Sequence, residues 1–223
     1  KKTKDKALSK LKKMNYKVGY PDKFKDYTKI NISSEKSLLD NVLAVNKFEY
    51  EYDMSFLYGE PDPSEWEMKA YDINAYFHPL KNEIVFPAGI LQEPFFSLKL
   101  SLPEIYGGIG AIIGHEITHG FDDQGKKFDA NGNMKQWWTK KDEKKYAENA
   151  KKIINQFNQF KITGKSVNGK LTQGENIADL GGLVIAYDAL KLHMKKITDN
   201  DTKKFFESWA SNWRCKISKK EQD

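Results

Sequence analysis

Residues 109–123 read IGAIIGHEITHGFDD and contain a stretch whose residue types and spacing suit catalysis, His115-Glu116-x-x-His119. On a helix, two histidines four residues apart project from one face and can hold the same ion. Zn²⁺ suits two imidazoles. Two His with a more distant carboxylate leave one tetrahedral position for water, which is the arrangement of a catalytic rather than a structural site. Glu116, beside the first ligand, is then placed to take a proton from that water instead of binding metal.

A third ligand has to come from elsewhere in the chain, and Gly174-Glu175-Asn176-Ile177-Ala178-Asp179-Leu180-Gly181-Gly182 is the stretch that offers one. Glu175 and Asp179 share a helix face, so one carboxylate can reach the metal while the other stands one turn away. A carboxylate that accepts the second N–H of a ligand histidine fixes its tautomer and raises its basicity. Asp179 suits that role for one histidine, and Asp122, three residues past His119, suits it for the other.

The elements that must position these groups are mostly helical. Residues 3–14 place Ala7, Leu8, Leu11 and Met14 on one predicted helical face with lysines opposite, and Gly19-Tyr20-Pro21-Asp22 ends that segment. Ser33 or Ser34 is expected to cap a scaffold helix running to about residue 57, stopped by Gly59, Pro61 and Pro63. Alternation from Tyr71 to Phe77 and again from Glu83 to Phe86 predicts two strands joined by a turn. His78 reads as part of that turn. A strand edge there would let an extended peptide pair with its backbone. The glycines at 107, 108, 110 and 114 permit close packing at the start of the central helix, at a cost in helix propensity. Asp129, Asn131 and Asn133 lack the glycine and glutamate of a calcium loop and read as a turn. Helices are further predicted over 140–160, from 175 to about 196, and from 202 to about Cys215.

Composition supports a globular chain. With 39% hydrophobic residues, including 13 Phe, 11 Tyr and 5 Trp among 223, the chain can fill a core. The net charge of +6 is concentrated in the first 30 residues, which hold eleven lysines against three aspartates. Neither arginines nor an aromatic platform accompany those lysines, so they read as a solvated helix face and no nucleic-acid partner is expected. One cysteine, Cys215, excludes an internal disulfide. No apolar run approaches the roughly 18 residues that cross a bilayer.

Together HEITHGFDDQG, GENIADLGG, NAYF and VFPAG closely resemble the neprilysin-like zinc metallopeptidases (family M13), which include endothelin-converting enzymes and bacterial oligopeptidases. The likeness runs from VGYPDKFKDY to FFESWASNWR. It implies one zinc per chain held by His115, His119 and Glu175, with Glu116 acting on the water. It makes Asp179 the second carboxylate, sometimes described as a proton donor, although its physical role reads as orienting a ligand. Asn74 and Ala75 would hold the substrate backbone beyond the cleaved bond. The implied fold is α+β and mostly α-helical, a thermolysin-like zincin domain with a small sheet beside the HExxH helix. Residues 1–223 would form the catalytic region, 1–60 as helical scaffold and 61–223 as zinc-binding core.

The family also carries a large N-terminal helical domain and a C-terminal segment with an oxyanion-stabilising histidine and a substrate-gripping arginine. Neither His78 nor His193 sits where that histidine belongs, so the sequence is expected to be a catalytic region truncated at both ends. Loss of an oxyanion partner costs on the order of 10²–10³ in rate, which would leave the fragment poorly active. The expected function is zinc-dependent hydrolysis of oligopeptides, on the amino side of a hydrophobic residue. The alternative is a zinc-stabilised, catalytically silent interaction module. The parent protein's compartment stays open between a membrane-anchored ectoenzyme and an intracellular oligopeptidase.

Overall fold

The structure is a computed structural model that describes residues 1–57, 59 and 62–214. In chain order it contains α1 (Lys2–Lys12), β1 (Asn15–Gly19), α2 (Leu38–Ser55), β2 (Tyr76–His78), β3 (Glu83–Pro87), α3 (Leu102–Ile105), α4 (Ala111–His119), α5 (Lys140–Phe157), the short hairpin strands β4 (Lys161–Ile162) and β5 (Lys165–Ser166), α6 (Gln173–Met194) and α7 (Asp199–Asn212). Pro61 and Cys215, expected as a helix stop and a helix end, lie outside the described residues.

Two compact units divide the chain: Lys1–Tyr20 together with the residues from Met68 onward, and Pro21–Glu67. The smaller unit contains α2, whose Ser37 side chain accepts the Asp40 N–H as its N-cap. That cap lies three to four residues beyond the serines expected from sequence, because Ser33 is engaged instead with Asn41 and Glu35. Within this unit Lys25 Nζ sits 3.7 Å from the centre of the Tyr52 ring.

The larger unit is built around α4, which has an apolar layer on each side. One joins Ile109 and Ile112 to Ala75, Ile84, Phe86 and Ile90 of the sheet region. The other joins Ala111 to Ala186 and Leu190 of α6 and Phe205 of α7. The sheet has the order β1-β3-β2, with β1 parallel and β2 antiparallel to β3. Hydrogen bonding pairs Tyr76 with Val85 and His78 with Glu83, so β2 lies at an edge. The expected strand from Tyr71 shortens to three residues. His78, expected in the turn, is instead the last residue of β2, and its Nδ1 accepts the Lys81 N–H of the turn at 3.2 Å.

Two further expectations are corrected. Residues 15–19 form a strand where only the end of a helical segment was read, since the alternation of Tyr16 and Val18 with Asn15 and Lys17 is very short and both apolar side chains are exposed. The inward face of α1 is Thr3, Ala7, Lys10 and Met14, while Leu8 and Leu11 are 45% and 42% exposed. Ala7 and Met14 of the expected face do point inward, but Thr3 and a buried lysine take the places expected for the two leucines, so hydrophobic spacing caught only half of the inward face. Asp129 accepts the N–H groups of Asn131 and Asn133, at 2.8 and 3.1 Å, as in an ordinary turn. In α7 the helix begins at Asp199 with a Thr198/Asp201 capping box, ahead of the expected start at 202, and of its aromatic stripe only Phe205 is fully buried.

Helices α4 and α6 meet backbone to backbone. A Cβ on Gly182 would fall 2.6 Å from the His115 nitrogen, and one on Gly114 would fall 2.6 Å from the Gly182 carbonyl oxygen. Replacing Gly182 with alanine should therefore lower stability by about 1–3 kcal/mol, the usual range for forcing atoms into a filled contact. Thermal unfolding of the purified protein checks this, and an unchanged midpoint would mean the helices can part freely.

Candidate metal centre

The close crossing of α4 and α6 brings the N-terminal turn of α6 over the face of α4 that carries both histidines. His115 Nε2 and His119 Nε2 lie 3.2 and 3.5 Å from Glu175 Oε2. The three donor atoms all fall within 4.8 Å of one another. These separations suit a shared ion better than direct hydrogen bonds, for which 3.5 Å is too long. Donors about 2.0–2.1 Å from a tetrahedral metal stand about 3.3–3.4 Å apart, between the two observed values. The two imidazole rings are nearly perpendicular, at 87°, with centroids 4.5 Å apart.

Each imidazole is held from behind by a carboxylate. His115 Nδ1–H donates to Asp179 Oδ1 at 2.9 Å, and His119 Nδ1–H donates to Asp122 Oδ2 at 2.7 Å. Asp122 is itself buried, and its Oδ1 accepts the backbone N–H groups of Gln124 and Gly125 at 2.8 and 2.7 Å. Both Nε2 atoms are thereby presented as metal donors, the tautomer a histidine-bound divalent ion requires. Sequence spacing placed both aspartates here. It gave no sign of the two loop amides that fix Asp122.

Glu116 is 5% exposed and lies between the two histidines in sequence, in the same cleft. Its Oε2 has no hydrogen-bond partner among the described residues. Burial pushes its carboxyl up to about 7, opposed by the positive charge of His119 and His115 and by a backbone hydrogen bond from Phe77. A buried carboxylate with an unengaged oxygen in a cleft is poised to accept a proton.

The cleft encloses about 390 Å³. Besides the histidines, Glu116 and Glu175, its lining includes Asn74, Ala75, Phe77, Gln124 and Gly125. Asn74 and Ala75 stand just before the edge strand β2, and the Ala75 N–H donates to Asn74 Oδ1 at 2.9 Å. All the residues singled out from sequence thus gather in or directly behind one cleft. His193, by contrast, lies apart from it, 3.3 Å from the Tyr106 hydroxyl. Lys10 escaped the sequence reading altogether. Its Nζ donates to the carbonyls of Gly120, Gly125 and Phe128, within the loop that carries Asp122.

A HExxH helix between two apolar layers, crossed by a second helix bearing a carboxylate and flanked by a small sheet, defines a thermolysin-like zincin fold. Comparison with known proteins narrows the class. The signature of peptidase family M13 matches residues 74–223. The chain belongs to this family. It is 43% identical over 190 residues to a putative zinc metalloproteinase of Streptococcus gordonii, covering 85% of this chain and 34% of that protein. It is 40% identical over 227 residues to a neutral endopeptidase of Lactococcus lactis, covering 99% of this chain and 34% of the relative. The solved structure of the Mycobacterium tuberculosis zinc metalloprotease Zmp1 in complex with an inhibitor superposes with a TM-score of 0.91 at 42% identity, covering 96% of this chain and 34% of that one. The chain therefore spans about a third of the length of these relatives. No helix among the described residues is long and apolar enough to cross a membrane.

Protons compete with a metal for this site. Burial lowers the His115 pKa, but the hydrogen bond to Asp179 and the nearby Glu175 carboxylate outweigh it and raise the value to about 9. For His119 burial is likewise outweighed, by Asp122 and Glu175, and the value rises to about 10. The same imidazoles hold the Glu175 carboxyl well below the usual range. A folded-state pKa above the unfolded value of about 6.5 stabilises the metal-free protein below that pH, and the contribution is lost as pH rises through 9 to 10. Metal affinity should run the opposite way, rising between pH 6 and 9 as the protons become easier to expel. Calorimetric titration in buffers of different ionisation enthalpy should show release of about two protons per metal near pH 7. Affinity independent of pH would contradict the assignment of both histidines.

Proposed function

We propose that residues 1–223 are the catalytic region of a zinc-dependent endopeptidase that hydrolyses peptide bonds in oligopeptides, with 61–223 holding the zinc-binding core. The observation that carries this reading is the convergence of His115, His119 and Glu175 beside a buried glutamate with an unengaged oxygen. His115, His119 and Glu175 hold one zinc per chain. A zinc ion held there supplies Lewis acidity toward a water molecule and toward the carbonyl of a peptide bond.

The chain's own residues perform the remaining work. Glu116 takes a proton from the attacking water and delivers it to the leaving amine. Asp179 and Asp122 keep His115 and His119 oriented and raise their basicity through the bonds to Nδ1. Asn74 and Ala75 hold the substrate backbone where the chain enters β2. Because β2 is an edge strand, an extended peptide can add to it by main-chain hydrogen bonds and lie along the cleft. Peptides rather than nucleic acids are the partners, and the internal placement of Lys10 removes one charge from the basic surface that nucleic acid would need. The neutral endopeptidase name of the Lactococcus relative agrees with this reading. A silent zinc module has no use for a buried, proton-accepting Glu116.

Glu116→Gln in the full-length protein should keep one zinc per chain and lose about 10²–10⁴ in turnover, the range for removing a general acid–base. Metal analysis and a fluorogenic peptide assay measure the two together, and unchanged turnover would overturn the mechanism. Asp179→Asn should weaken zinc binding about 10–100-fold while the protein stays folded. Competition with a chelator reads that change.

A further inference from the structure

Lys10 is 1% exposed, although it belongs to a helix that is otherwise lysine-rich and solvated. Its ammonium uses all three donors on main-chain carbonyls, at 2.7 Å to Gly120, 2.8 Å to Gly125 and 2.8 Å to Phe128. The rings of Phe77, Phe121 and Trp137 surround it with centroids 5.5, 5.6 and 6.0 Å away, within cation–π reach. The three carbonyls belong to one loop, which leaves α4 immediately after His119. That loop carries Asp122 and the two amides that fix it.

We propose that Lys10 is a positioning residue of the metal centre: its ammonium gathers the loop 120–128 as a bound cation would, and so sets Asp122 against His119 Nδ1. Without it three inward-facing carbonyls lose their shared donor and splay, and the carboxylate that orients His119 moves with them. The inference rests on the reading of His119 as a metal ligand. Lys10 lies outside residues 74–223 matched by the family signature, so the role belongs to a segment that the match does not cover. The helix has a second attachment that does not touch this loop. Thr3 Oγ1 donates to Asp142 and accepts the Thr139 N–H at 3.1 Å. The two anchors can be separated experimentally.

The test compares Lys10→Met, Lys10→Gln and Thr3→Ala in the full-length protein, reading zinc Kd by chelator competition, the visible spectrum of the Co²⁺-substituted form and the unfolding midpoint of the metal-free form. Lys10→Met should raise the zinc Kd about 10–100-fold, as loss of an outer-shell partner does, and alter the Co²⁺ spectrum. Lys10→Gln, which keeps two donors and should disturb folding less, should give a smaller change of the same kind. Thr3→Ala should lower the midpoint and leave Kd within about twofold. Combining Lys10→Gln with Asp122→Asn should weaken zinc no more than Asp122→Asn alone, because both act through one hydrogen bond. Lys10→Gln with wild-type Kd and spectrum overturns the proposal, as does a Thr3→Ala that shifts Kd equally. A wild-type zinc affinity insensitive to His119→Ala would instead remove the metal-centre reading beneath it.

Discussion

The site depends on how closely α4 and α6 approach. Side chains normally hold helix axes 8–10 Å apart, but the facing glycines at 114 and 182 let main chain touch main chain. That contact decides whether Glu175, carried on a helix turn of its own, can reach the space between two histidines on another. It also puts Asp179 within hydrogen-bond range of His115. The apolar layers on either side of α4 hold the crossing in place, and the centre inherits its geometry from that packing.

Around the crossing, buried polar groups are answered in series. The ammonium of Lys10 meets three carbonyls, the loop amides meet one oxygen of Asp122, and its other oxygen meets His119. Each group taken out of water is compensated by the next, which is the condition under which a polar network rigidifies rather than weakens a core. Glu116 stands outside this arrangement, with one oxygen unengaged. Low local dielectric raises its proton affinity, so the burial that costs stability also suits it to the base role proposed for it.

The candidate site was legible in the sequence because its residues are set by short spacings. Two histidines four apart, a carboxylate three past the second and a carboxylate pair four apart are local patterns that survive translation into three dimensions. What escaped depends on contacts between distant segments. Strand β1 is only five residues long, its alternating Tyr16 and Val18 stay exposed, and it exists because β3 offers it a parallel partner. Lys10 reads as surface by composition, and only three carbonyls more than a hundred residues away make its burial tolerable. Ser37 caps α2 in place of Ser33, whose hydroxyl accepts the Glu35 N–H while its main chain is held by Asn41. Competing local hydrogen bonds of this kind are invisible to a propensity argument.

The parallel pairing of β1 with β3 also bears on the order in which the chain can assemble. Asn15 meets Glu83, so that contact closes a loop containing the whole Pro21–Glu67 unit. During synthesis the first helix and strand emerge long before their partners, and Lys10 has to wait still longer, until Phe128 is available. Long-range closures of this type are slow steps, because the entropy of the loop is lost before the contact rewards it. The intervening Pro21–Glu67 segment is a compact unit of its own, which makes the effective loop shorter than its residue count. The first helix therefore cannot bury its polar groups until much later sequence exists, Lys10 waiting for Phe128 and Thr3 for Thr139 and Asp142.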